Sequence, residues 1–245
     1  MQNLEDMGML VGLLLTDGCV SSGRFLIFHN KSEAMHKLFQ QYVSKVFGKI
    51  HFTERIEING TKRTQVSNKN IVKQLQEFCE IETFRRKPFE SGEFPNVNLP
   101  AFIKKLPHKN LLKIFRVIFS ADGSMSVSVR WHKTNKSWEI RRRIELTCKH
   151  PVLRNEYFEL LKTIGFSPRI SSDNITLEKK GDILKFAQEI RFVGGVKSGG
   201  DSKNWEGFEK NQVLDIAVKT LNLGKKDLEK FNTKEETMGF LKSLL

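Results

Sequence analysis

Cysteine is scarce in this chain, and the three that occur, Cys19, Cys79 and Cys148, are far apart and odd in number. That excludes a disulfide framework and a CxxC zinc site and fits a reducing compartment. The six histidines are likewise scattered. No apolar run approaches the roughly 20 residues that a membrane-spanning helix needs. The N-terminal Met-Gln-Asn-Leu-Glu-Asp has neither a basic start nor a small-residue cleavage site, so an intracellular, non-secreted chain is expected. Acidic residues are in deficit as well: 28 Asp and Glu stand against 41 Lys and Arg, a formal net charge of +13. The deficit is not uniform. Residues 201–245 hold eight of each sign, which leaves 33 basic against 20 acidic groups in residues 1–200. A surplus placed this way points to a polyanion, nucleic acid first, as the partner of the first 200 residues.

What the chain does have is two apolar runs with the same ending. Leu10-Val11-Gly12-Leu13-Leu14-Leu15-Thr16-Asp17-Gly18 reads as a buried helix, and so does Phe115-Arg116-Val117-Ile118-Phe119-Ser120-Ala121-Asp122-Gly123. The glycines are expected to take the left-handed conformation that closes a helix. The aspartates are harder to explain, because a carboxylate in the last turn faces the negative end of the helix dipole at a cost of up to about 1 kcal/mol. Two such acids in matching positions suggest a shared need for negative charge, and a divalent cation would supply the reason.

At 245 residues, 39% of them hydrophobic, the chain can hold one large domain or two subdomains with real cores. Its order is repetitive. After the first helix (about Leu4–Asp17), with Gly8 and Gly12 on one face, come a small-residue loop at Ser21–Gly23 and a strand at about Arg24–His29. Ser32 is placed to cap a helix at about Glu33–Phe47, ended by Gly48. Strands at about Ile50–Ile58 and Lys62–Ser67 turn at Asn59-Gly60, and a helix at about Asn70–Cys79 follows. Residues 83–107 hold four of the six prolines and read as a connection with some helix around Ala101–Leu106. A second apolar helix, about Asn110–Asp122, leads into a hairpin of Ser126–Lys133 and Trp138–Cys148 turning at Thr134–Ser137. Pro151 opens a helix to about Ile164, then come short strands near Arg169–Ser171 and Ile175–Glu178 and a helix at about Asp182–Phe192. Matching pieces lie 105 (Asp17 to Asp122), 118 (Lys31 to Lys149) and 112 (Ile71-Val72-Lys73 to Ile183-Leu184-Lys185) residues apart. Past a Gly-rich loop at 194–201, helices at about Lys210–Leu221, Lys225–Phe231 and Lys234–Leu244 form a packed cap.

Two apolar helix–Asp–Gly elements about a hundred residues apart, each followed by strand, Lys and helix, resemble the LAGLIDADG homing endonucleases, closest to the single-chain, intron-encoded, archaeal-like type. The resemblance covers roughly residues 5–195 and includes the Asn30-Lys31-Ser32-Glu33 junction. The second copy departs from the pattern in having Val117 where Gly is usual. The implied fold is α+β, two pseudosymmetric αββαββα repeats with antiparallel DNA-binding sheets and a small helical C-terminal extension. The implied division is a first repeat at 1–82, a linker at 83–107, a second repeat at 108–195 and the extension at 196–245. The resemblance further implies a metal-dependent DNA endonuclease acting on a long pseudo-palindromic double-stranded target in intron homing, as a monomer. The metal would be Mg²⁺, with Mn²⁺ or Ca²⁺ able to take the same site, held by Asp17, Asp122 and the main-chain carbonyls of Thr16 and Ala121. Lys31 and Lys149 would act at the scissile phosphate, and Asn30 would hold water. Two rivals use the same scaffold: an RNA maturase acting on intron RNA, and a DNA-binding regulator that does not cleave.

Specificity is expected from the strands. Along Trp138–Lys149, Glu139, Arg141, Arg143, Glu145 and Thr147 share one face with Lys149, while Ile140, Ile144 and Leu146 share the other. Arg141 and Arg143 would read guanine edges or grip phosphate, with Arg130, His132 and Lys133 extending the face. In the first repeat Arg63, Gln65 and Ser67 form one set, and Arg55 and Glu57 another. Trp131 and Trp138 are read as a cross-strand aromatic pair.

Overall fold

In the computed structural model, residues 3–134, 136–199, 202 and 204–245 are described. Asn135 of the expected turn, Gly200 and Asp201 of the expected loop, and Met1 and Gln2 of the leader lie outside the described residues. Helix α1 (Leu4–Asp17) starts on Asn3, whose side chain accepts the Glu5 amide at 3.0 Å, with Glu5 and Asp6 complementing the dipole of the first turn. Every residue from Met7 to Thr16 is buried, as befits a helix enclosed on all sides. Its counterpart α5 (His108–Asp122) starts behind Pro107 and packs against it. Gly8 and Gly12 make that approach possible. A methyl group at Gly8 would lie 2.8 Å from Ile114 Cδ1, and one at Gly12 would lie 3.3 Å from Ile114 Cγ2. Two isoleucines of α5, Ile114 and Ile118, thus fill the room that glycines leave on α1, so the interface needs glycine on one helix only.

Around the helix pair lie two four-stranded antiparallel sheets. The first has the order β1-β2-β4-β3, from β1 (Gly18–Ser21), β2 (Phe25–Asn30), β3 (Thr53–Ile56) and β4 (Lys62–Ser67). The second has the equivalent order β5-β6-β8-β7, from β5 (Gly123–His132), β6 (Ser137–Thr147), β7 (Arg169–Ser171) and β8 (Asn174–Leu177). Helices α2 (Glu33–Phe47) and α3 (Lys69–Cys79) belong with the first sheet; α6 (Pro151–Thr163) and α7 (Lys180–Lys185), which continues as a π turn at Phe186–Ile190, belong with the second. This is the α+β architecture of two αββαββα repeats.

Strand β1 corrects the sequence reading, which had a loop there and one strand before α2. Gly18–Ser21 pairs with Phe25–Phe28 around a tight turn in which Ser22 and Gly23 both have positive φ. The first-repeat hairpin is four to six residues long against ten and eleven for β5 and β6. A second correction concerns the Asp-Gly ends. Neither glycine is left-handed: Gly18 has φ −97° and Gly123 φ −97°, extended backbone open to any residue. Glycine is needed for space, because a Cβ on Gly18 would meet Leu14 Cα at 2.5 Å and one on Gly123 would meet Phe119 O at 2.5 Å and Glu145 O at 2.9 Å. Helix passes directly into strand at both places, with no residue between Asp17 and β1 or between Asp122 and β5.

The connection carries a short helix α4 (Ala101–Lys104) but is tied down along its length. Phe84, Val97 and Leu99 are buried, His150 Nε2 donates to Pro95 O at 2.8 Å, and the Leu99 amide donates to Glu156 at 2.6 Å. Beyond the second sheet, α8 (Lys210–Lys219), α9 (Lys225–Leu228) and α10 (Lys234–Lys242) cover the apolar side of β5 and β6. Trp205 Nε1 donates to Val127 O at 2.6 Å, Trp138 Nε1 to Phe231 O at 3.0 Å, and Arg142 Nε to Thr220 Oγ1 at 2.9 Å. No helix among the described residues is long and apolar enough to cross a membrane.

Candidate active site

Because α1 and α5 run side by side and end alike, Asp17 and Asp122 arrive together at one end of their interface. Both line a cavity of about 990 Å³ whose walls are Asn30 and Lys31 on one side and Ser124, Ser126, Glu145 and Thr147 on the other. Burial, and then the charge of Asp122, push the Asp17 carboxyl up to about 7, against the opposing pull of Asn30, Arg86 and Lys210. Burial also raises Asp122, with Arg86 and Lys210 opposing.

Two side chains, Asn30 and Arg86, bond to the acids, and two more, His36 and Lys210, brace the backbone around them. Asn30 closes β2 with its amide locked: Oδ1 accepts the Ser32 amide at 2.6 Å, which aims Nδ2 at Asp17 Oδ2, also at 2.6 Å. His36 secures the same turn from α2, its Nε2 2.9 Å from Asn30 O. Arg86, from the connection, donates to the Asp122 carboxylate and to the main-chain carbonyl of Thr16. Lys210, at the start of α8 and only 7% exposed, donates to Ser120 O at 2.7 Å and Gly123 O at 2.6 Å. The first lies in the last turn of α5, where no intrahelical donor remains for it, and the second opens β5. Burial lowers the Lys210 ammonium to about 8 even beside two acids.

The expected site residues divide. Asp17, Asp122, Ala121 and Lys31 share the cavity. Thr16 directs its hydroxyl back to Leu13 O at 2.8 Å and leaves its carbonyl to Arg86. Lys149 does not join them. It lines a separate cavity with Lys87, Phe94, Arg154 and Asp173, because β6 ends at Thr147 and the chain has left the sheet before Lys149, so the strand alternation no longer governs it. The expected Lys31–Lys149 symmetry is therefore absent from the cavity holding the acids.

The expected DNA face is continuous on β5 and β6. Opposite pairs Arg130–Glu139, Ser128–Arg141, Ser126–Arg143 and Ser124–Glu145 share it, and Thr147 extends it. Arg143 pairs with Glu145 at 3.2 Å and with Glu178, and Arg141 lies 3.9 Å from Glu139, so acids are interleaved with the cations. His132 lies opposite Ser137, and Lys133 falls in the turn rather than the strand. Trp131 and Trp138 do pair across the strands, ring centroids 5.1 Å apart at 70°. In the first sheet Arg55 lies directly opposite Arg63, so the two sets expected separately form one face with Gln65 and His29.

Arg86 and Lys210 are the residues that sequence reasoning missed. Arg86 lies in Arg85-Arg86-Lys87 with nothing to distinguish it from its neighbours, and Lys210 lies in a tail of zero net charge. A lysine at the head of an apolar helix beginning was the only available signal for the second.

A helix pair delivering two acids between two β1-β2-β4-β3 type sheets defines a class: the chain has the two-repeat fold of the LAGLIDADG homing endonucleases. Three solved structures carry the comparison. I-DmoI in complex with DNA and Mn is 16% identical, covering 77% of this chain and 97% of its own, with a TM-score of 0.50. The LAGLIDADG meganuclease I-AabMI bound to uncleaved DNA is 11% identical over 97% of this chain and 98% of its own, TM-score 0.59. The I-SmaMI LAGLIDADG homing endonuclease bound to cleaved DNA is 11% identical over 97% and 95%, TM-score 0.53. No family model and no curated protein matches the chain. At 97% coverage the second and third matches include most of the helical extension as well as the two repeats.

Proposed function

We propose that the chain is a site-specific double-strand DNA endonuclease that hydrolyses phosphodiester bonds in a long pseudo-palindromic target, in the manner of intron homing. The observation that carries this reading is the pair of half-buried acids, Asp17 and Asp122, lining a cavity flanked by basic strand faces. Structures of the same fold in complex with DNA, and with Mn, Mg or Ca, support it. The donor set suits a hard divalent cation such as Mg²⁺: two carboxylates and the carbonyls of Thr16 and Ala121, the remaining ligands being water. Bound there, the cation would activate water and neutralise charge on the leaving 3′ oxygen.

The chain's own residues do the rest. Asn30 fixes the rotamer of Asp17, and Lys31 stands in the cavity where it stabilises negative charge on a phosphate. Lys210 anchors the end of α5 and so the position of Asp122. Arg55, Arg63 and Gln65 on one sheet and Arg130, His132, Lys133, Arg141, Arg143, Glu145 and Thr147 on the other grip and read the duplex. One chain supplies both acids, so a monomer suffices and the half-sites need not be identical.

The test is incubation with DNA spanning the intron-insertion junction, with Mg²⁺, with EDTA, and with the Asp17→Asn and Asp122→Asn variants. Cleavage only by the wild-type chain with Mg²⁺ is expected. A bound but intact target would sink the reading in favour of a regulator, and protein-dependent intron splicing without cleavage would favour a maturase.

A further inference from the structure

The two acids are not treated alike. Asp17 receives a neutral donor, Asn30, and faces the open cavity. Asp122 receives a guanidinium: Arg86 Nη1 donates to Oδ2, and Nη2 lies 3.4 Å from Oδ1. The same Nη2 donates to Thr16 O at the end of the other helix. Arg86 therefore joins a carboxylate of α5 to a carbonyl of α1. The complementary combination is the Asp17 carboxylate of α1 with the Ala121 carbonyl of α5. Both of those residues line the cavity, as Asp122 also does, whereas Thr16 and Arg86 do not, so Arg86 takes its seat from behind the cavity wall. Lys210 takes the carbonyls that flank Ala121 and Asp122, those of Ser120 and Gly123.

A guanidinium lodged this way has a physical reason to stay and a reason to leave. It is mostly buried, with a side chain 21% exposed, and the Asp122 and Asp17 carboxylates hold its charge against the cost of that burial. Its planar fork also matches phosphate oxygens as well as it matches a carboxylate. It is carried by a segment without helix or strand, next to the exposed Lys87.

Resting on the metal site of the proposed function, we propose that Arg86 is an internal cation filling one of two seats between the helices, Thr16–Asp122, and that it leaves only Asp17–Ala121 open to a divalent ion until DNA phosphate draws the guanidinium away. Two oxygens that would bind metal are spent on Arg86, so the DNA-free protein holds one ion fewer than its ligand set allows. Metal loading is then coupled to target binding, and free protein is kept from cutting at random.

The test counts bound Mn²⁺ on the full-length, DNA-free chain, by the loss of the free-ion electron paramagnetic resonance signal. Arg86→Met, which keeps the bulk and removes the charge, is expected to hold one more Mn²⁺ per chain than wild type at equal free Mn²⁺. Arg86→Lys, which cannot span Thr16 O and Asp122 together, is the second variant should Arg86→Met unfold; it is expected to take the extra ion at least tenfold more tightly than wild type does. Equal counts and affinities in all three chains, with binding still lost in Asp17→Asn, would overturn the role of Arg86 and leave the metal site standing. Binding that survives both Asp17→Asn and Asp122→Asn would overturn the metal site itself.

Discussion

Asp17 is costly where it stands, and its cost can be measured. In the folded, metal-free protein its pKa is about 7, while an aspartate in an unfolded chain titrates near 3.9. The fold therefore binds this proton more tightly than the unfolded chain does. The resulting stability is complete below about pH 4 and is lost as pH rises through 7. In EDTA, wild type should melt at progressively lower temperature from pH 5 to 8. Asp17→Asn should flatten that slope and melt roughly 2–8 °C higher at pH 8; parallel curves would show that the carboxyl is not strained. Lys210 acts in the opposite direction. Burial depresses its pKa to about 8, so the stability tied to its deprotonation returns only above pH 8, outside that window. Replacing it with methionine strips two carbonyls and two acids of their buried cation, and differential scanning calorimetry should show a loss of about 2–4 kcal/mol. An unchanged melting temperature would remove Lys210 from the framework of the site.

Among the elements, the Asp-Gly helix ends and the long hairpin make the sharpest statements. Alanine at Gly18 or Gly123 drives a methyl into backbone of the preceding turn at 2.5 Å, which no rotamer change can relieve. These variants should lose about 3 kcal/mol or more in denaturant melts. Gly12→Ala is tight only against the Ile114 side chain, at 3.3 Å, its other contacts being ordinary ones at 3.8 Å, and it gains about 0.8–1 kcal/mol of helix propensity, so it should stay within about 1 kcal/mol of wild type. On β6, Arg141 and Arg142 are adjacent in sequence and opposite in fate. Arg141→Ala should weaken DNA binding by about 1–3 kcal/mol with stability unchanged, whereas Arg142→Ala, which loses the bond to Thr220 on the far face, should lower the melting temperature. The alternation along Trp138–Lys149 placed Arg141 on the polar face beforehand, without assigning Arg142, as the apolar period marked out α1 and α5, because each pattern is a direct record of one buried face. Strand β1 was not legible: Gly-Cys-Val-Ser is four half-buried residues with no alternation, and it becomes a strand only because β2 lies beside it. Nor could spacing place Arg86 and Lys210, which reach the acids across 36 and 88 residues of chain by way of packing that no local pattern encodes.

Taken whole, the molecule is lopsided on a symmetric plan. The second repeat has the longer hairpin, and its apolar side is roofed by the C-terminal helices through Trp205, Trp138 and Arg142. Ending the chain at Val193 should therefore give insoluble protein rather than a minimal two-repeat enzyme, as expression and gel filtration would reveal. The basic surplus of residues 1–200 should make DNA affinity fall steeply between 50 and 200 mM salt, by roughly a thousandfold or more if six phosphates are neutralised. One feature binds these scales together. Asp122 is the last residue of α5 and Gly123 the first of β5, the same strand whose Ser126 and Ser128 lie across from Arg143 and Arg141. The joint has no slack. On the proposed function, a sheet seated wrongly on a mismatched half-site would have to twist, and with no residue between helix and strand that twist would reach the acid, so that an error in reading would become an error in aim. Fidelity would then reside as much in the stiffness of this hinge-free junction as in any contact with a base.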